Sequence, residues 1–112
     1  VESRKCYEVC CKYGKPVIVM EPVKGGNLVK LPDEARAVFD KLHGGSPAGY
    51  AIRFAAGFDG IRMVLSGMSS LEQMEDNIRY MKDFQPLSKE EQEAVQKVTE
   101  IFQSQNMIQC TA

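Results

Sequence analysis

Two short runs of mostly apolar residues constrain the fold of this chain more than any other feature. The first is Val-Ile-Val-Met at residues 17–20, and the second occupies residues 61–65, with Arg62 near its start. Such β-branched runs are typical of strands that are covered on both faces in a parallel sheet. The long stretch between them has the helical spacing that a crossover connection requires. The sequence therefore predicts two parallel strands, at about residues 17–20 and 61–65, both covered on two faces.

Helical spacing of apolar residues predicts helices around both strands. The first covers about residues 3–13 and ends at Gly14. A second begins at a proline and covers about residues 32–43, and Ser46 caps a third that continues to about residue 56. With two more helices after the second strand, this order predicts right-handed crossovers and the α/β class.

Capping motifs predict those last two helices. Either Ser69 or Ser70 begins the first of them, each with a Glu or Gln three residues later, and Ser88 with Glu91 begins the second. The residues expected to face the core are Leu71, Met74, Ile78 and Met81 in one helix, and Ala94, Val95, Val98, Ile101 and Phe102 in the other.

Composition is that of one ordinary globular domain over residues 1–112, with 44% hydrophobic and 26% charged residues. The formal net charge is -1 and no basic stripe is present, so we expect neither nucleic acid nor an anionic membrane as a partner. No apolar run approaches the roughly 20 residues of a membrane-spanning helix. Because a signal core is also absent, we expect a cytoplasmic protein.

The four cysteines do not have the spacing of a disulfide framework, so we expect reduced thiols. A metal site at Cys6, Cys10 and Cys11 is disfavoured, because adjacent helix positions point about 100° apart and no fourth ligand is near.

Two strands that need cover on both faces cannot close a barrel or fill a doubly wound sheet. The chain also has no initiator Met. We therefore expect it either to be part of a longer protein or to form oligomers through its strands.

Residues 66–70, Ser-Gly-Met-Ser-Ser, follow the second strand and lead directly into a capped helix. First-turn amides and the helix dipole favour a phosphate at such a place, at the carboxyl end of a parallel strand. The alternative is that these serines only cap the helix, which is their commoner role when the stretch is taken alone.

The same stretch resembles a known family. Residues 63–77 are similar to the last barrel strand and following helix of the aldo/keto reductases, and most similar to the subgroup with a C-terminal 4Fe–4S ferredoxin-like domain. Residues 19–26, Val-Met-Glu-Pro-Val-Lys-Gly-Gly, resemble that subgroup's seventh strand and turn, and residues 51–56 resemble its helix before the eighth strand. The resemblance covers essentially the whole chain. It implies a C-terminal fragment of a (β/α)8 barrel.

The resemblance also implies an activity. The family transfers hydride between NADPH or NADH and a carbonyl, using Tyr, Lys, Asp and His residues on early strands. None of those four positions falls within this chain, and Lys24, His43 and Tyr50 do not match them. The chain alone is therefore expected to be inactive.

The resemblance implies a set of contacts with NAD(P)(H). Residues after the second strand would line the adenosine and phosphate end, and residues after the first strand would border the nicotinamide and pyrophosphate. The expected contacts are Ser66, Gly67, Met68, Ser69 and Ser70 in the turn, Gln73, Asp76 and Asn77 in the helix, and Met20, Glu21, Val23 and Gly25 near the first strand.

Three positions depart from the family pattern. Gly67 stands where NADPH-preferring members usually have Lys, and Gln73 stands where they have Arg, so these departures favour NADH over NADPH, or weak nucleotide binding. Met20 replaces a stacking aromatic ring, which leaves flavin use open. Cys110 corresponds to the start of a ferredoxin-like run of cysteines, but a cluster needs about four thiolates, so it would form only in a longer parent.

The alternative function is a non-catalytic interaction module that folds as a homo-oligomer. It would associate through the strands or through a face formed by Met68, Met74 and Met81. Such methionine faces are more often ordinary core.

Overall fold

The computed structural model describes residues 2–42 and 45–104. Its two strands are parallel and adjacent, which confirms the α/β class and the two predicted strands. This arrangement is consistent with a fragment of a (β/α)8 barrel. The elements in chain order are α1 (Glu2–Lys12), β1 (Val17–Met20), a 3-10 turn (Lys24–Gly26), α2 (Asp33–Asp40), α3 (Pro47–Ala56), β2 (Ile61–Leu65), α4 (Leu71–Lys82) and α5 (Lys89–Ser104).

The register of the sheet brings the ends of both strands to one edge. Val17 lies opposite Ile61 and Met20 lies opposite Leu65, with one irregularity after Val17. Because both strands end at the same level, the segments that follow Met20 and Leu65 begin side by side.

The sheet is covered on one face only. Ile18 and Met63 are partners across the two strands and are 57% and 53% exposed. The following pair on the same face of the sheet, Met20 and Leu65, is also exposed. We call these four residues the open sheet face. The other face is half-buried, with α3 lying against β2. Within the described residues this cover is present on one face only, so cover of the open sheet face would have to come from outside these residues.

The hydrophobic core lies among α2, α3 and α5, beside the sheet rather than on it. Its centre is the stacked pair of Phe39 and Tyr50, whose rings lie 4.4 Å apart and 10° from parallel. The predicted core face of α5 is confirmed, because Ala94 and Val98 are buried and the remaining three residues pack against them. The buried members of this cluster are Leu31, Ala35, Phe39, Tyr50, Leu87, Ala94 and Val98.

The predicted core face of α4 is wrong. Leu71 is 70% exposed and Ile78 is 55% exposed, and Met74 and Met81 are exposed as well. The half-buried residues of α4 are Asp76, Asn77 and Tyr80, and α4 packs on α3. The methionine face formed by Met68, Met74 and Met81 is likewise exposed rather than ordinary core.

Helix boundaries follow their capping residues closely. The Oγ of Ser46 accepts a hydrogen bond from the Gly49 amide at 3.1 Å, so Ser46 begins α3 as predicted. Pro32 is the residue before α2, and α2 ends at Asp40, earlier than the predicted position near residue 43. Residues 43 and 44 lie outside the described residues.

The α1 helix is attached to the turn that precedes β2. The Tyr7 hydroxyl donates to the Asp59 carbonyl oxygen at 2.8 Å, and its ring makes an edge contact with Phe58. A hydrogen bond with the Cys11 side chain, together with desolvation, raises the pKa of Tyr7 to about 12. The hydrogen bond and the ring contact together hold α1 against this turn.

Arg53 joins α3 to α5. Its guanidinium donates to the two carboxylate oxygens of Glu91 at 2.6 and 3.0 Å. It also donates to the backbone carbonyls of Gln85 and Pro86, at 2.9 and 3.3 Å. The predicted capping box is confirmed, because Ser88 and Glu91 each accept from the backbone amide of the other. Ser88 and Glu91 thus cap the start of α5, and Glu91 also fixes the helix to α3.

We expect the Arg53–Glu91 pair to make stability depend on pH. Burial alone would raise the pKa of Glu91, but hydrogen bonds from Arg53 and Ser88 outweigh it and hold the pKa below its usual 4.5. A carboxyl whose pKa is lowered by folding stabilises the protein above its unfolded pKa. That stability is lost as the pH falls from about 4.5 towards the folded pKa. Urea denaturation between pH 7 and pH 3 measures this loss.

The variant Glu91→Gln should lower the free energy of unfolding at pH 7 by about 3 kcal/mol, since it leaves a buried guanidinium without its counter-charge. It should also remove this part of the pH dependence. Glu8→Gln is the control, because the Arg4–Glu8 pair is exposed and should have little effect. Equal losses in the two variants would contradict the assignment.

Candidate functional site

The candidate site lies where both strands end. Residues 66–70 follow Leu65 without any intervening structure and lead into α4 at Leu71. Glu21 follows Met20 at the same edge of the sheet. This is the carboxyl edge, where α/β proteins place their ligands.

The turn and the start of α4 are held by hydrogen bonds around Gln73. The Oγ of Ser70 accepts from the Gln73 amide at 3.3 Å, which makes Ser70 the N-cap. The Oε1 of Gln73 accepts from the Ser69 amide at 2.9 Å and from its hydroxyl at 3.3 Å. Ser70 therefore caps the helix as predicted, but Gln73 returns to Ser69 rather than to Ser70. One amide that could bind an anion is already occupied by a side chain of this chain.

Ser66 and Asn77, two of the predicted contacts, meet each other. The amide Nδ2 of Asn77 donates to the Ser66 hydroxyl at 3.2 Å, and both residues are half-buried. They form the polar part of an open cleft of about 190 Å³ between β2, α3 and α4. The walls of this cleft are apolar and one end is polar. The apolar lining residues are Ile52, Val64, Met68, Ile78 and Met81.

Asp76 already has a partner in α3. Its Oδ2 accepts a hydrogen bond from the Ser46 hydroxyl at 2.6 Å. The Ser46 amide donates to the Tyr80 hydroxyl at 2.9 Å, so one N-cap residue contacts two side chains of α4. This network was not predicted from the sequence. Its signal was the polar spacing of Asp76, Asn77 and Tyr80, which lie on one side of a helix.

The segment after β1 forms a compact turn of its own. Glu21 has a positive φ of 53°, and Gly25, with φ of 61°, interrupts the 3-10 turn. The Val23 carbonyl accepts from the amides of Gly26 and Leu28, at 3.0 and 3.2 Å. Within residues 2–42 and 45–104, no hydrogen bond joins this turn to residues 66–70. The two predicted halves of the site share an edge but do not contact each other through hydrogen bonds.

With this geometry established, comparison with known proteins gives a family. The family model described as the aldo/keto reductase family matches residues 1–100. The chain belongs to the aldo/keto reductase family. A search of curated protein sequences finds no significant match.

Membership in the aldo/keto reductases gives the chain an oxidoreductase lineage. In this aldo/keto reductase chain the candidate cofactor contacts all lie on described residues, whereas His43 and Cys110 lie outside them. Among the described residues, no three His, Cys, Asp or Glu side chains could hold a metal ion together. Cys6, Cys10 and Cys11 are free thiols. No helix in the described part of the chain is long and apolar enough to cross a membrane.

We expect Gly49→Ala to loosen the contact between α3 and α4. The new Cβ would lie 2.9 Å from Cε1 of Tyr80 and closer still to other ring atoms, so the ring would have to move. Overpacking costs about 1–3 kcal/mol and the better helix propensity of Ala offsets about 1 kcal/mol. Chemical denaturation should therefore show a net loss of about 1 kcal/mol.

Gly67→Ala is the control for this substitution, because no atom lies within 4 Å of a Cβ built there. In a Tyr80→Ala background, Gly49→Ala should no longer destabilise the protein. If the cost remains without the Tyr80 ring, the close contact is not its cause.

Proposed function

We propose that this chain is the nucleotide-binding C-terminal portion of an NAD(P)(H)-dependent oxidoreductase that reduces carbonyls or oxidises alcohols. The observation that carries the proposal is the Ser/Gly turn at residues 66–70, which joins the carboxyl end of β2 directly to the capped N-terminus of α4. Such a junction favours the phosphates of a dinucleotide, through amide donors and the helix dipole. Membership in the aldo/keto reductase family supports this proposal.

The described residues fit such a nucleotide. Hydroxyls of Ser69 and Ser70 lie at the helix start, and the cleft beside Ser66 and Asn77 offers apolar walls and an amide to an adenine ring. From the other segment we propose Met20 beside the nicotinamide, and Glu21, Val23 and Gly25 along the pyrophosphate. Gly67 and Met68 would border the phosphates, and Gln73 and Asp76 the adenine ribose.

When bound, the nicotinamide would supply or accept the hydride. This chain would hold and orient the nucleotide, while the catalytic Tyr, Lys, Asp and His of the family would come from strands outside it. We therefore propose that the chain alone is inactive and that its principal partner is the remainder of a (β/α)8 barrel.

The exposed apolar surface supports the proposal that the remainder of a barrel is the partner of this chain. The open sheet face presents Ile18, Met20, Met63 and Leu65, and neither strand of the two-stranded sheet has a neighbour on its outer edge among the described residues. Unpaired edges and a bare apolar face both favour additional strands. A 4Fe–4S cluster with Cys110 as one ligand, and a cytoplasmic location, remain proposals for the longer protein.

For the cofactor we propose NADH rather than NADPH. Gly67 supplies no cation where a 2′-phosphate would need one, and Gln73 is a neutral side chain whose carbonyl already accepts from Ser69. An additional phosphate would have to displace that carbonyl and would gain no counter-charge at either position.

Calorimetry should therefore show tighter binding of NADH than of NADPH. The double variant Gly67→Lys with Gln73→Arg should raise the affinity for NADPH about tenfold, because each cation can pair with the phosphate. NADH affinity should change little. Gln96→Arg with Thr99→Lys is the matched control, since it adds the same charge to α5. A gain of NADPH affinity in the control, or none in the test variant, would contradict the assignment of these two positions.

The second candidate is an interaction module that forms homo-oligomers. The exposed residues of the open sheet face and of α4 favour it, because a second copy would bury them. Light scattering should then give at least twice the chain mass of 12.5 kDa. Ile18→Glu should restore the monomer mass, whereas Val9→Glu, at an exposed site on α1, should not. A stable oligomer that binds neither nucleotide would favour the interaction module over the oxidoreductase. A monomer would contradict the interaction-module hypothesis.

A further inference from the structure

The contact between α3 and α4 centres on Ser46. Its hydroxyl donates to Asp76 Oδ2 at 2.6 Å and accepts from the Gly49 amide at 3.1 Å, and its own amide donates to the Tyr80 hydroxyl at 2.9 Å. The Tyr80 hydroxyl in turn lies 3.5 Å from Ser46 Oγ and can donate to it. One N-cap residue thus uses its amide and its hydroxyl to bind two side chains of the neighbouring helix.

The backbone around Ser46 is shaped to receive Tyr80. Gly45 and Gly49 lie on either side of Ser46, and a Cβ at either position would collide with the Tyr80 ring. Gly45 also has a positive φ of 116°, which side chains rarely adopt. The ring therefore approaches the α3 backbone more closely than any other residue type at these positions would allow.

Few other contacts fix how α4 is rotated about its axis. None of its residues is fully buried, and its apolar stripe is exposed. Besides the Ser46 network, the side chain of α4 that bonds to another element is Asn77, which reaches Ser66. Asp76 and Asn77 are adjacent in the chain, so a bond that holds one limits the position of the other.

We propose that Ser46 is a positioning residue for nucleotide binding, which acts through Asp76 and Tyr80 without touching the nucleotide. Its bonds hold α4 so that Asn77 and Ser66 face the cleft and the first turn of α4 faces the carboxyl edge. The inference rests on the proposed function. It adds a residue of α3, remote in sequence from the phosphate turn, to the determinants of affinity.

The test compares two N-cap serines by NADH titration of the full chain. Ser46→Ala removes the hydroxyl that joins α3 to α4, and Ser88→Ala removes the matching hydroxyl at the start of α5. Both should lower the denaturation midpoint because each removes a helix cap, and Ser46→Ala should lower it more because it also removes the bond to Asp76. Only Ser46→Ala should weaken NADH binding, about tenfold if about a tenth of the molecules keep α4 in the binding position.

Two further measurements separate positioning from general loss of structure. Ser46→Thr keeps the hydroxyl and should restore NADH affinity. Tyr80→Phe keeps the ring and removes its hydroxyl, so it should weaken NADH binding while preserving the fold, and it replaces Ser46→Ala if that variant does not fold. Reduced nicotinamide mononucleotide, which lacks the adenosine half, should bind equally to wild type and variants if it binds at all.

The outcomes distinguish the inference from the function on which it rests. If wild type binds NADH but Ser46→Ala behaves as Ser88→Ala does, the positioning role is wrong and the proposed function stands. The same conclusion follows if Ser46→Thr fails to restore binding. If neither the wild-type chain nor the longer protein that contains it binds NADH or NADPH, the proposed function fails and the positioning role fails with it.

Discussion

The buried ion pair between Arg53 and Glu91 is the interaction on which the rest of the structure depends. A guanidinium with little access to water requires a counter-charge and acceptors for its donors, and it finds them in one carboxylate and two backbone carbonyls. These partners all lie in or just before α5. Satisfying one arginine therefore fixes the position of the last helix, and with it the core that α5 completes against α2 and α3.

The α3 helix contacts α4, α5 and β2 and so connects the main parts of the fold. One end bears Arg53 and holds α5, while the other begins at Ser46 and holds α4, and the side between them lies against β2. The two contacts differ in kind. The contact with α5 combines a buried ion pair with apolar packing, whereas the contact with α4 depends on hydrogen bonds to half-buried groups. Opening of α4 should therefore cost less free energy than opening of α5.

The sequence predicted the local elements well because each depends on neighbouring residues. Ser46 and Ser70 begin their helices through bonds within one turn, and the β-branched run at residues 17–20 is a strand. It predicted burial poorly where cover must come from elsewhere. Ile78 has core spacing but is exposed, since periodicity shows that a face is apolar without showing what covers it.

The same difference between local and distant contacts applies to the candidate site and to Arg53. That Ser70 caps α4 follows from its position, whereas the partners of Asp76 and Arg53 lie 30 and 38 residues away along the chain. No local pattern specifies which of several polar residues meets which. Arg53 lies within residues 51–56, which resemble a helix of the family. That resemblance does not show that its charge is buried, because the burial depends on where α5 packs.

The Gln73–Ser69 bond shows how such a turn balances stability against binding. A helix N-terminus without a ligand has amide donors that need acceptors, and here a side chain of the same helix provides one. An anion that replaces this carbonyl gains only the difference between two hydrogen-bonded states, so binding is weakened by the stability of the free turn. An arginine at position 73 would leave the Ser69 amide without that acceptor and add a charge. The same residue therefore stabilises the free turn and would disfavour an additional phosphate, which is the physical basis of the proposed preference for NADH.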